Sequence, residues 1–202
     1  VVLENMTVTY NTAPDSTNGA GVYVDGCGDV TITSSTFSHN TATNGWGGAM
    51  MVRNSGDVTV TASSFDHNTA TGVAGAIRVQ DSGDLAIAGT DFLYNEAGRS
   101  GGAVSLDTVG AVTITGNADG GVFDHNSAGA GYGGALALYT SESFSVTDVT
   151  FSHNDATQRG GALYALYPGD MDVSGSTFTD NSTLYGAGGA INLWSDTTHS
   201  FT

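Results

Sequence analysis

The sequence has 202 residues, enough for one or two domains, and 39% of them are hydrophobic, which suffices for a continuous core. Its 20 acidic residues stand against four arginines and no lysine, giving a formal charge of −16. This balance argues against nucleic acid or anionic membranes as partners, because both attract clustered cations. No apolar run approaches the length of a membrane span, and the single cysteine, Cys27, cannot form an internal disulfide.

Short strands are predicted along the chain. Residues 29–33 (DVTIT), 57–61 (DVTVT) and 111–115 (AVTIT) alternate Val or Ile with Thr, which is the two-residue period of a half-buried strand. Residues 77–79 and 136–138 alternate in the same way. No segment shows helical periodicity with caps, and 30 glycines are spread through the chain. The sequence therefore predicts an all-β protein.

Two phrases recur in a fixed order, and their spacing predicts the architecture. The phenylalanines of the first phrase, F-x-x-N, are separated by 28, 27, 31, 28 and 27 residues. Several short strands in a repeat of this length are typical of one coil of a parallel β-helix, so we predict a single right-handed solenoid domain of about seven coils over residues 1–202. The phenylalanines are Phe37, Phe65, Phe92, Phe123, Phe151 and Phe178, and the second phrase, GGA or AGA plus an apolar residue, occupies residues 47–50, 74–77, 101–104, 133–136, 160–163 and 188–191.

The repeated residue types have distinct predicted roles. The phenylalanines should stack inside the core on coils about 4.8 Å apart, and the asparagines should bond one another and the backbone at a turn. The Gly-Gly pair should form a corner with positive φ. Longer loops are predicted at residues 10–21 and 116–122, where the repeat becomes irregular.

The paired GGA[ILV] and FxxN motifs resemble the repeats of the chlamydial polymorphic outer membrane proteins and of related large bacterial surface proteins. The resemblance covers nearly the whole chain, from Val8 to Ile191. It implies an extracellular right-handed β-helix that acts as an adhesin or surface passenger domain. The sequence departs from the family pattern at Ala74 and in having a single cysteine. The mode of anchoring in the outer membrane is therefore not carried over.

Aromatic residues near the end of the second strand of several repeats are candidate binding residues. They are Tyr139, Tyr164, Tyr167 and Trp194. If exposed, they would form a stripe on one side of the solenoid that stacks on sugar rings or contacts another protein, since Tyr and Trp are favoured in both roles. Burial under a neighbouring loop is the alternative.

Equivalent aspartates precede successive strands and are candidate calcium ligands. Asp29, Asp57 and Asp84 would lie about 5 Å apart from coil to coil, where carboxylates repel one another unless a cation or backbone amides compensate. Calcium suits such hard oxygen ligands. Capping of turns by the carboxylates is the alternative interpretation.

Histidines recur two residues after the phenylalanines. His39 and His67 lie on adjacent coils, as do His125 and His153, while Tyr94 stands between the two pairs. A metal ion could be shared within a pair, but two imidazoles without a third ligand make a weak site. Imidazoles stacked on one another at a turn are the favoured interpretation.

The pattern favours a non-catalytic, extracellular structural or adhesive module of a cell-surface or filament-forming protein. The alternative is a carbohydrate-active β-helix enzyme of the lyase or hydrolase type, whose sign would be a cleft with an arginine beside two or more carboxylates. The acidic surface disfavours anionic uronate substrates, and the phrases NTD, GHG and RIK of glycoside-hydrolysing β-helices are absent from the sequence.

The chain ends carry a prediction about partners. Neither end of the sequence supplies a helix or a charged cap, so we expect the segment to adjoin further solenoid or to stack end to end with other copies. Glycans and host or surface proteins are the other expected partners.

Overall fold

The structure is a computed structural model that describes residues 1–14, 18–117, 120–195 and 200–201. Over these residues the chain is a right-handed parallel β-helix of about seven coils with about 28 residues per turn and no helix. Each coil contributes short strands to four rows that run along the solenoid. The predicted all-β solenoid is therefore confirmed.

Every row contains the equivalent strands of successive coils. The first row comprises Val2–Glu4, Val30–Thr33, Val58–Thr61, Leu85–Ala88, the second half of Val104–Thr115, Ser141–Thr147, Asp170–Ser174 and Ser200–Phe201. The second row comprises Thr7–Thr9, Thr36–Ser38, Ser64–Asp66, Asp91–Leu93, Val122–Asp124, Thr150–Ser152 and Thr177–Thr179. The third row comprises Thr12–Ala13, Thr41–Ala42, Thr69–Ala70, Glu96–Ala97, Ser127–Ala128, Asp155–Ala156 and Ser182–Thr183. The fourth row comprises Val22–Asp25, Met50–Arg53, Ile77–Ser82, the first half of Val104–Thr115, Leu136–Leu138, Leu163–Leu166 and Ile191–Trp194.

Strand pairing follows the rows. The second and third rows are seven-stranded parallel sheets. The strand Val104–Thr115 belongs to the fourth row at its beginning and to the first row at its end, so these two rows form one 14-stranded sheet. Because the pairing is parallel and in register, equivalent residues of successive coils lie beside one another.

The core consists of side chains that point inward from the rows. In the first row Val30 and Ile32 are fully buried, whereas Thr31 and Thr33 between them lie on the outer side. The phenylalanines pair in register, with ring centroids of neighbours 4.6 to 5.1 Å apart. The predicted internal stack is confirmed over Phe37, Phe65, Phe92, Phe123, Phe151 and Phe178.

The asparagines form the predicted ladder at the turn after the second row. The Nδ2 group of Asn68 donates to Oδ1 of Asn95 at 3.0 Å and to the carbonyl oxygen of Phe37 at 2.9 Å. The backbone N–H of Asn68 also donates to Oδ1 of Asn95, at 3.0 Å. These bonds satisfy the buried amides, which would otherwise be costly. Amide-to-amide bonds link Asn11, Asn40, Asn68, Asn95, Asn126, Asn154 and Asn181 in order.

The Gly-Gly-Ala phrase forms the corner before the fourth row. Its first glycine takes positive φ, for example 66° at Gly101, as predicted. Ala74 occupies this position in its own coil and takes the same conformation, with φ of 61°, although alanine pays a steric cost there. The second glycine permits close approach, because a Cβ on Gly102 would lie 1.9 Å from the carbonyl oxygen of Gly134.

The predicted loops interrupt the rows only locally. Asn117 and Gly120 form an antiparallel bridge, and Oδ1 of Asp91 accepts the backbone N–H groups of Gly121 and Val122 at 3.0 and 3.1 Å. Residues 15–17 and 118–119 of the two loops, and residues 196–199 and 202 near the end of the chain, lie outside the described part. Cys27 is exposed. Where the chain is described, it contains no helix that could span a bilayer.

Candidate functional site

The aromatic residues predicted to form a stripe lie on the outer side of the fourth row. Tyr167 and Trp194 are 49% and 56% exposed. Tyr164 is only 7% exposed, because Tyr132, from the loop before Leu136–Leu138, stacks on it with ring centroids 4.6 Å apart. Half-buried Tyr139 meets Tyr164 edge-on at 6.1 Å. The predicted exposure is therefore wrong for Tyr164, where burial under a loop prevails.

Burial has an electrostatic consequence for this tyrosine group. Desolvation raises the pKa of Tyr139, although a hydrogen bond with Ser100 and the charge of Arg78 oppose the rise. Desolvation also raises the pKa of Tyr164, and the neighbouring Tyr132 and Tyr139 add to it. Both phenols therefore stay neutral to higher pH than an exposed tyrosine does.

A buried arginine lies on the same side of the solenoid and was not singled out in the sequence. Arg78 is 5% exposed; its Nη1 donates to Oγ of Ser105 at 2.8 Å and its Nη2 to Oδ2 of Asp107 at 2.9 Å. The guanidinium carbon lies 5.8 Å from the ring centroid of Trp46. Ser105 and Ala137 occupy the positions equivalent to Arg78 on the next two coils. These small residues are the sequence signal that could have indicated space for the arginine side chain.

Two other arginines contact aromatic rings on this side. Arg53 lies 5.7 Å from the ring of Tyr23, and Arg159 lies 6.0 Å from the ring of Trp194. Arg53 also binds Oδ2 of Asp25 at 2.7 Å, and this hydrogen bond, with further ones, holds the pKa of Asp25 below its usual value. Among the described residues, neither Arg53 nor Arg78 pairs with more than one carboxylate.

The predicted aspartate column lies at the corner before the first row and is exposed. Oδ1 of Asp29 accepts the backbone N–H of Asp57 at 3.1 Å, and Oδ1 of Asp57 accepts that of Asp84 at 2.9 Å. Oδ1 of Asp84 accepts the N–H of Ala111 at 2.8 Å. Each carboxylate thus caps the backbone of the next coil. Calcium binding by these aspartates stays a prediction.

The histidine column is longer than the sequence pattern indicated. Tyr94 does not interrupt it, because its ring stacks on both neighbouring histidines. All members take the left-handed conformation, with φ between 50° and 57°, and their ring centroids are 4.6 to 5.0 Å apart. The outer column runs through Tyr10, His39, His67, Tyr94, His125 and His153.

Asp124 binds both histidines of the second pair. Its Oδ2 lies 2.7 Å from Nδ1 of His125 and its Oδ1 lies 3.0 Å from Nδ1 of His153. Ser152 Oγ donates to the same Oδ1 at 2.6 Å. Partial burial raises the pKa of Asp124, but the hydrogen bonds from Ser152 and the two histidines outweigh it and hold that pKa below its usual value.

Comparison with known proteins agrees with the architecture. The family model described as "Right handed beta helix region" matches residues 1–178. The chain therefore belongs to the right-handed β-helix family. No curated protein and no solved structure matches the chain. Because this family includes enzymes and non-enzymes, membership defines the fold and leaves the function to be argued from the side chains.

Proposed function

We propose that the chain is a non-catalytic extracellular module with a structural or adhesive role in a cell-surface or filament-forming protein. The observation that carries the proposal is a set of exposed aromatic side chains on or beside the fourth row, called here the aromatic face. It consists of Tyr23 and Trp46 at the first two coils of the row and Tyr167 and Trp194 at its last two, each at least 40% exposed. Three of the chain's four arginines lie against rings of this aromatic face, at Tyr23, Trp46 and Trp194. Most of the few cations of this acidic protein thus lie on one side of the solenoid, with Arg78 buried and Arg53 partly exposed.

This composition suits recognition of a neutral glycan or of a protein surface. Exposed Tyr and Trp rings stack on sugars and are favoured at protein interfaces. Arginines that contact the rings hold them in place through cation–π attraction, so less side-chain entropy is lost on binding. The resemblance to polymorphic outer membrane protein repeats supports the extracellular location.

The ladders also support end-to-end partners. Each coil binds its neighbour through in-register backbone pairing and through the asparagine and phenylalanine columns. A further coil of the same repeat, from an adjoining segment or another copy, would continue these columns without new kinds of contact.

The arginine contacts favour this function over the enzyme alternative. Proton transfer in β-helix enzymes of the kind considered above would need an arginine beside clustered carboxylates. Arg78 faces Asp107 and Arg53 faces Asp25, each one carboxylate, and both side chains also face aromatic rings. These arrangements hold side chains in place more than they assemble acid–base groups.

An array of neutral glycans, anionic glycans and surface proteins tests the proposal. We expect binding to neutral glycans or to proteins, and its loss in Trp194→Ala and Tyr167→Asn. Tyr10→Asn is the matched control, because Tyr10 is an exposed aromatic residue of the outer column on a different side. Asparagine is chosen at Tyr10 and Tyr167 because both have positive φ, which it tolerates.

Three results would overturn the proposal. Absence of binding across the array, or equal loss in the Tyr10→Asn control, would refute the aromatic face as an adhesive surface. Release of shorter or unsaturated sugars from a bound glycan would refute the non-catalytic role and favour the enzyme.

A further inference from the structure

The two histidine pairs of the outer column differ in where the nearest carboxylate lies. In the second pair, Asp124 precedes His125 on one coil and also reaches His153 on the next, because Asp124 pairs in register with Ser152. One carboxylate therefore lies within 3.0 Å of a ring nitrogen of each histidine. The third ligand that a two-histidine site lacks is present here.

The first pair provides the contrast. Its carboxylate, Asp66, precedes His67, the second member, and lies 2.7 Å from Nδ1 of that histidine. The equivalent position before His39 is Ser38, and the coil after His67 carries Tyr94 in the column. The carboxylate is thus displaced by one coil relative to the second pair and contacts one imidazole instead of two.

The ligand atoms of the second pair are close enough to surround one ion. One carboxylate oxygen of Asp124 and one ring nitrogen each of His125 and His153 all lie within 4.8 Å of one another, and no other group of three such residues in the described part of the chain does so. Two imidazoles and one carboxylate match the three protein ligands of a four-coordinate Zn²⁺ site that keeps one open position, with ligand distances of about 2.0–2.2 Å. Small side-chain movements bring the atoms to that distance.

A neighbouring residue fits the role of an outer partner. Oδ2 of Asp180 lies 3.7 Å from Nε2 of His153, the ring nitrogen opposite to the one that faces Asp124. Metal-binding histidines commonly donate their second N–H to a carboxylate, which orients the ring. We propose that Asp124, His125 and His153 bind a divalent transition metal, with Zn²⁺ the best match. The ion joins two adjacent coils, and its fourth position faces solvent.

Calorimetric titration of the chelator-treated full chain with ZnCl₂ tests this site. We expect one Zn²⁺ per chain in the natural protein. Asp124→Asn and His153→Asn should weaken binding more than the roughly 10–100-fold that loss of an outer partner costs. Asp66→Asn and His67→Asn are the matched controls and should retain binding. Asparagine suits both histidine positions, since their φ values are 51° and 50°.

Thermal melting gives an independent readout that also checks folding. Zn²⁺ should raise the melting temperature of the natural chain and of the Asp66→Asn and His67→Asn variants, because it binds the folded state. It should leave Asp124→Asn and His153→Asn unchanged, while all variants melt cooperatively without the metal. Absence of Zn²⁺ binding, or equal loss in the control variants, would overturn the assignment.

Discussion

The phenylalanine column makes a quantitative prediction about stability. Phe92 is fully buried between the rings of Phe65 and Phe123, with centroids 5.1 and 4.6 Å away. Phe92→Ala removes the ring and leaves a cavity between two rings that the strand registers hold in place. A buried Phe→Ala change costs about 3–5 kcal/mol, and the two stacked contacts place this site toward the upper end, at about 0.5–1.5 kcal/mol each. Urea unfolding followed by circular dichroism measures the loss.

Phe178 provides the matched control for this prediction. It is only partly buried, and among the described rings its neighbour in the column is Phe151, at 4.8 Å. Because water can reach the space that Phe178→Ala leaves, we expect on the order of half the cost found for Phe92→Ala. A loss below about 1 kcal/mol for Phe92→Ala would refute the internal column as the main support of the core. Equal losses at both positions would refute the cavity argument.

Two further predictions concern ionisable groups. Burial raises the pKa of Tyr139, so its neutral form stabilises the fold below the unfolded pKa of about 10, and this contribution is lost as pH rises through the higher folded pKa. Alkaline absorbance titration should show late-ionising phenols from Tyr139 and Tyr164, and Tyr139→Phe should remove one of them; uniform ionisation of all tyrosines would contradict this prediction. If Asp29, Asp57 and Asp84 share calcium, millimolar calcium should raise the melting temperature of the chelator-treated chain and Asp57→Asn should reduce the rise; identical melts with and without calcium would leave only backbone capping.

The fold could be predicted from the sequence because each coil repeats the same local solutions. The asparagine ladder shows why. Asn68 and Asn95 occur at equivalent positions of successive repeats, and their amides can satisfy one another only if the coils stack in register. The repeat length and the residue type together therefore specify both the turn and its pairing with the equivalent turn of the next coil. Ala74 shows the same dominance of the fold, since it takes a glycine conformation that its own preference disfavours.

The outer surface was harder to predict because its side chains do not repeat. Tyr164 belongs to the aromatic set in the sequence, but it is covered by Tyr132, the residue directly before the GGA phrase one coil earlier. Arg78 lies between Ile77 and Val79, so the strand alternation predicts that it points outward. The ring of Trp46 lies 5.8 Å from its guanidinium carbon, and Trp46 stands directly before the GGA phrase, a position whose residue type changes from repeat to repeat. Exposure on this side therefore depends on which side chain each repeat carries at a position that is regular in the backbone but variable in residue type.

The histidine column shows that the position of an aspartate relative to a pair of histidines determines how many imidazoles it contacts. Neither residue type alone gives this information. The four histidines of the column stand at the same place in their repeats, and aspartates occur beside His67 and His125 alike. In a right-handed parallel solenoid with in-register strands, a side chain on one coil lies beside the equivalent place on the next coil. Asp124 therefore contacts His153 on the next coil, whereas the coil after Asp66 carries Tyr94 at that place. A carboxylate on the first coil of a histidine pair joins both imidazoles, and one on the second coil joins only its own. The relevant sequence signal is therefore an acidic residue that precedes the first histidine of two separated by one repeat, a relation that becomes visible only once the coils are aligned.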